Sequence, residues 1–134
     1  AHPDVLDDHQ AAQLGRLVAL HAALFTLLWH EHAQDVADRL APATPAPRNN
    51  RDLLDALQRS PLVPLPARLA EALWGLNVQR NAILHANRLD RGRLSARRRA
   101  LAAAVQEWLA ARQAARARWR ALRQGRQPPA RSSA

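Results

Sequence analysis

An all-α fold is predicted by three features of the chain. Ala and Leu dominate it, whereas Gly occurs four times, Phe once and Tyr not at all, and the β-branched residues that favour strands are scarce. Its apolar residues recur at helical rather than alternating spacing. Pro-rich stretches divide the 134 residues into pieces of helix length, enough for one core but not two, so the expectation is an up-and-down bundle of four to five helices.

The first helix is expected from about Asp7 to Leu40. At 100° per residue, Leu14, Leu17, Val18, Leu20, Leu24, Phe25, Leu27, Leu28 and Val36 make one core-facing stripe. His21, Glu31, His32 and Asp35 fall inside that stripe, and His30 projects from the far side. The segment "APATPAPRNN" (41–50) reads as a stiff connection. "RDLLDALQRS" (51–60) reads as a short amphipathic helix, and "PLVPLPAR" as a second Pro-punctuated connection ending in a first-turn Pro66. A third helix follows from about Ala67 through Leu69, Ala72, Leu73 and Leu76, with Gly75 as a weak point. "LDRGRL", around Gly92, is the next break. The last helix, about Ser95 to Gln124, takes Ser95 as N-cap and carries Leu101, Val105, Trp108, Leu109 and Leu122 on its apolar side. Arg97, Arg98, Arg99, Arg112, Arg116, Arg118, Arg120 and Arg123 occupy its other faces and read mainly as a solvated surface. The division is one helical domain over 1–124 and a basic disordered tail over 125–134.

All twenty basic residues are Arg, and they are unevenly spread. Residues 1–67 hold five Arg against eight acids, and residues 68–134 hold fifteen against three, so the C-terminal half is the one that faces polyanions. Without Cys, a disulfide framework, a thiolate metal site and a cysteine nucleophile are excluded. No apolar run is expected to reach the roughly twenty residues of a bilayer span, and no basic n-region with an apolar h-region opens the chain. The expectation is a soluble, cytoplasmic protein without membrane contact. The start at "AHPDV", without Met, is what a domain cut from a longer chain would show.

One short stretch stands out chemically. "VQRNAILHANR" (78–88) sets Arg80 beside Asn81 and His85 four residues after Asn81. An Arg five residues before a His also occurs at Arg16 and His21, in a regular amphipathic helix where His21 reads as a partly buried core residue. Arg-x4-His alone therefore carries nothing. Adding the Asn lowers the chance expectation to about 0.03 per chain of this composition. His titrates near neutral pH and can move a proton between a ribose 2′-hydroxyl or a 5′-oxygen leaving group and solvent. Arg offers paired donors to the phosphate oxygens of a charged transition state.

"RNAILH", in the second half of a small helical bundle, resembles the Arg-x4–6-His signature of the HEPN superfamily (higher eukaryote and prokaryote nucleotide-binding domains). The resemblance covers this hexapeptide and the architecture. It implies an RNA-binding, metal-independent endoribonuclease of a defence, toxin–antitoxin or RNA-processing system, with no cofactor. His85 would be the general acid or base, Arg80 the phosphate clamp, and Asn81 a substrate-positioning group or a helix N-cap. Some members carry Tyr two residues after the His as a target for modification; Asn87 stands there, and that control is closed to a chain without Tyr. Arg88, Arg91, Arg93, Arg97, Arg98 and Arg99 follow closely as phosphate contacts.

On an unbroken helix, positions five apart diverge by about 140°. Arg80 and His85 would converge only if a turn interrupts the helix near Arg80 or if a second protomer supplies one of them. The expectation is therefore a homodimer with an isologous interface over residues 77–88. Glu31 or Asp35 could hold Arg80; the alternative is that Glu31, His32 and Asp35 lie near a helix end and simply face water. The competing reading is an inactive HEPN-like assembly or adaptor domain of a larger defence or signalling protein, contacting other domains of that chain or a cognate antitoxin. "HEH" (30–32) is too divergent along a helix to form a metal site, and none is expected.

Overall fold

The computed structural model describes residues 8–86 and 94–125. These fold into four helices, with no strand among the described residues: α1 Asp8–Ala37, α2 Asn50–Gln58, α3 Ala67–Ala86 and α4 Leu94–Arg123. The helical class and the number of helices agree with the sequence reading. The boundaries differ from the expected ones by at most three residues, about the range over which helix ends fray.

Each end has a local cause. α1 closes on a Schellman turn, in which Arg39 N–H donates to Val36 O at 3.1 Å and Leu40 N–H to Asp35 O at 2.7 Å. Arg39 takes the left-handed position at φ +60°, where Gly is the usual occupant. α2 is capped by Asn49, whose side chain accepts from Asp52 N–H at 2.8 Å, and the Asp52 carboxylate accepts in turn from Arg48 N–H at 3.2 Å. Pro66 precedes α3, and its carbonyl accepts from Ala70 N–H at 2.9 Å. α3 continues through Gly75 without a break. α4 begins at Leu94, so Ser95 lies inside the helix rather than capping it. Gly125, at φ +68°, terminates α4.

The core is one cluster contributed by all four helices: Leu17, Leu24, Phe25 and Leu28 of α1, Leu53, Leu54 and Leu57 of α2, Leu69, Leu73 and Leu76 of α3, and Leu101, Val105, Trp108 and Leu109 of α4, joined by Leu65. The predicted stripes are largely those observed. Two residues assigned to them are exposed, Leu27 at 38 % and Leu122 at 68 %: the first sits at the edge of the stripe, and the second lies where α4 has run past the core.

Cross-helix bonds give the directions. Gln13 pairs with Arg98, Glu31 with Arg112, and Asp38 with Arg123; sequence numbers rise together, so α1 and α4 run parallel. α3 returns between them. By length and mean hydropathy (1.5), Ala11–Ala37 is long and apolar enough to cross a membrane, which corrects the expectation that no segment reaches that threshold. Within the described bundle Leu17 and Leu28 of α1 are fully enclosed and Glu31 and Asp35 bond to α4, while 28 % of its most apolar stretch is buried.

Candidate functional site

Two polar clusters cross the bundle, the first built around arginine and the second around a buried histidine and two asparagines. In the first, Glu31, Asp35 and Asp38, at i, i+4 and i+7 along the end of α1, meet Arg112, Arg116 and Arg120, spaced by four along α4. Arg112 is completely enclosed. Its Nε donates to Glu31 Oε2 at 2.9 Å, Nη2 to Asp35, and Nη1 to Ser60 Oγ and to the Leu62 and Val63 carbonyls. Its guanidinium also lies over the Trp108 ring, 5.0 Å from the centroid. Arg116 bridges Glu31 at 3.0 Å and Asp35 at 2.7 Å and also holds Asp38. Arg120 Nε reaches Asp38 at 3.0 Å, and Arg123 donates to the Asp38 carbonyl at 2.9 Å. The C-terminal half of α4 thereby neutralises the carbonyl end of α1.

These contacts set the ionisation of the ladder. Burial by itself would push the Asp38 carboxyl up, but the bonds from Arg120 and Arg116 outweigh it and hold the carboxyl below its usual range. Burial likewise opposes the charge on Arg116, and the bonds to Asp35, Asp38 and Glu31 overcome it and raise its pKa. Val63 is held at φ +44°, an uncommon place for a β-branched residue. Its carbonyl accepts from Trp108 Nε1 at 3.0 Å as well as from Arg112, so α4 itself fixes the turn.

The second cluster lies where α1, α2 and α3 meet. His21 Nε2 is 2.8 Å from Asn77 Oδ1, which also accepts from Asn50 Nδ2 at 3.0 Å; Asn50 Oδ1 accepts from Trp29 Nε1 at 3.1 Å. With that acceptor, His21 carries its proton on Nε2. The imidazole stacks on Phe25 at 4.6 Å between centroids. Burial lowers its pKa below 6.5, the bond to Asn77 works the other way, and the charge of Arg80 lowers it further. His21 is thus a core histidine, as predicted, and Arg80 stands within its field.

Arg80 is half-buried. Its Nη2 donates to Asn81 Oδ1 at 2.8 Å, and its Nε is buried with no partner. No carboxylate among the described residues pairs with it. The expectation that Glu31 or Asp35 holds Arg80 is corrected: both acids are buried and turned to Arg112 and Arg116, which also overturns the alternative that they face water. Arg112 and Arg116, read as solvated, are buried. Asn81 lies in the interior of α3 and caps nothing.

The backbone of His85 belongs to the same unbroken helix as Arg80, so no turn brings the two positions together. Its side chain, together with Asn87, Arg88, Arg91, Arg93 and the tail from 126, lies outside the described residues. Arg97 and Arg99 are exposed, and Arg98 is half-buried with Nη1 3.5 Å from the Gln13 carbonyl. Within the segment expected to dimerise, Asn77 is committed to the bundle interior, whereas Val78 is 49 % exposed. In "HEH", His30 is exposed and bonds Gln34, while Glu31 and His32 are buried, so the trio diverges.

Sequence reasoning missed the ladder although its signal was present: acids at i, i+4, i+7 on one helix and arginines at i, i+4, i+8 on another. No family model, curated protein or solved structure matches this chain.

Proposed function

We propose that the chain is an RNA-binding domain of HEPN type and a metal-independent endoribonuclease, with Arg80, Asn81 and His85 as its working residues and two protomers forming one site. The observation that carries the reading is the state of Arg80. A half-buried guanidinium without an acid partner carries uncompensated charge, and a phosphate oxygen supplies the missing acceptor. The unbroken helix through positions 80 to 85 fits a site completed by a second copy, since one copy cannot aim both at one phosphate. Exposed Arg97 and Arg99, at the start of α4, extend the positive surface.

In this reading His85 takes the proton from the 2′-hydroxyl as that oxygen attacks the adjacent phosphorus. The 5′-oxygen leaves with a proton from an acid, and a cyclic phosphate remains. Arg80 stabilises the charge that builds on the phosphorane oxygens. Asn81 holds Arg80 in place.

The test is cleavage of a single-stranded RNA in chelator by the chain and by its Arg80→Ala and His85→Ala variants. The expected result is loss of cleavage in both, retention of RNA binding by His85→Ala, and sedimentation of the active form as a dimer. Equal cleavage by all three proteins, or full activity of a monomer, overturns the reading. RNA binding that never leads to cleavage would assign the chain to the inactive assembly class.

A further inference from the structure

Between α3 and α4 lies an open groove of about 940 Å³, and its Trp108 wall backs onto Arg112 of the α1–α4 ladder. Leu69 and Leu76 of α3 and Leu101, Ala104 and Trp108 of α4 form its apolar floor. On α3 it runs from Arg68 to Gln79, about 16 Å of helix, the length of three turns.

Two features identify an occupant. The first is charge: Arg68 and Arg97 stand on the rim, Arg98 lines it while bonded to the Gln13 carbonyl, and Glu107 is the one acid among the described lining residues. The second is Gly75, at mid-groove. A Cβ built there would meet nothing within 4 Å, so the fold itself has no use for a glycine, which weakens a helix interior relative to Ala. Ala72, one turn earlier on the same wall, is also small and exposed. Small residues beneath open space let a second backbone approach closely, as a docked helix requires. A nucleic-acid strand would gain little from an aliphatic floor whose Trp108 is already buried and bonded to Val63.

We propose that the α3–α4 groove receives an acidic amphipathic helix of a partner protein, which crosses close over Ala72 and Gly75 and places its carboxylates on Arg68 and Arg97. The inference is independent of RNA cleavage and of His85.

Fluorescence anisotropy of a dye-labelled 14-residue helical peptide tests it, with Leu at i, i+3, i+4, i+7 and i+11 and Glu on both flanks. A second peptide has Lys in place of every Glu, and a twelve-nucleotide oligouridine is the non-peptide polyanion. Gly75→Leu fills the groove from an exposed position, and Gly75→Ala narrows it. The acidic peptide should bind the unmodified chain and lose at least about tenfold in affinity on Gly75→Leu, while oligouridine binding stays unchanged. Gly75→Ala should raise the Tm yet weaken the peptide, opposite signs that loss of folding cannot produce. Arg68→Glu with Arg97→Glu should reverse the preference between the two peptides. The proposal is overturned if the Lys peptide binds the unmodified chain as well as the Glu peptide, if Gly75→Leu leaves the peptide affinity intact, or if it weakens oligouridine equally. Conversion of a dimer to a monomer by Gly75→Leu would give the groove to a second copy and also overturn it.

Discussion

Arg112 and Arg80 are the same side chain in opposite circumstances. Arg112 is completely enclosed, and every nitrogen of its fork has an acceptor. Arg80 is half-enclosed, and its best partner is the neutral amide of the next residue. Burying a guanidinium is tolerable only when hydrogen-bonded acids replace its water. The first arrangement therefore has no capacity left for a ligand and serves to register α4 against α1. The second leaves charge unspent beside a histidine kept neutral, and that is where an incoming anion gains most. In an arginine-rich chain, the informative arginine is the one the fold has left incompletely paired.

The comparison breaks most clearly at Arg112. Arg112→Ala should cost about 3–5 kcal/mol in urea unfolding, because Glu31 and Asp35 then keep a buried charge with half its partners gone. A milder outcome, near 1 kcal/mol, would mean that water reaches the ladder. Replacing the group together, Arg112→Met and Arg116→Met with Glu31→Leu and Asp35→Leu, should recover much of that loss, since apolar substitutes of similar size carry no desolvation cost and Asp38 keeps Arg120.

Arg80→Ala should behave in the opposite way. Its effect on stability is expected at about 1 kcal/mol or less, whereas its affinity for oligouridine at low salt should fall and the slope of log affinity against log salt should flatten by about one contact. A collapse of stability comparable to Arg112→Ala would place Arg80 among the structural arginines.

Acid should separate the clusters by pH. The His21 pKa is depressed in the folded chain, so the unfolded chain binds the extra proton first; stability is complete above about 6.5 and declines as pH falls below that value toward the folded pKa. Asp38 is also depressed, and its contribution is present above the ordinary Asp range near 3.8 and is lost below it. Urea midpoints between pH 8 and 3 should therefore decline in two steps, and His21→Gln should remove the upper one. The smallest change is expected outside both clusters: Arg39→Gly should raise stability by up to about 1 kcal/mol, because Gly adopts the left-handed position of the α1 turn without the clash of a Cβ.

Much of the fold was legible because it is local. Pro clusters and the 3.6-residue stripes place the helices within a few residues, and the class needs only composition. His21 was read correctly as a core residue from its place in the α1 stripe. The ladder was not recognised because its partners lie some eighty residues apart, and in a chain with twenty Arg the local sequence does not distinguish a solvated Arg from a buried one. Arg80 was singled out by its neighbour Asn81, which does contact it, but the acids assigned to it belong elsewhere.

The sequence by itself determined an all-helical chain, the limits of its helices and a strongly basic second half, since propensity, periodicity and charge are properties of neighbours along the chain. Only the tertiary structure decided which arginines are neutralised. Neutralisation depends on distance and on exclusion of water, and both arise only when α4 packs parallel to α1, which brings its arginines to Glu31, Asp35 and Asp38 and leaves Arg80 of α3 without an acid.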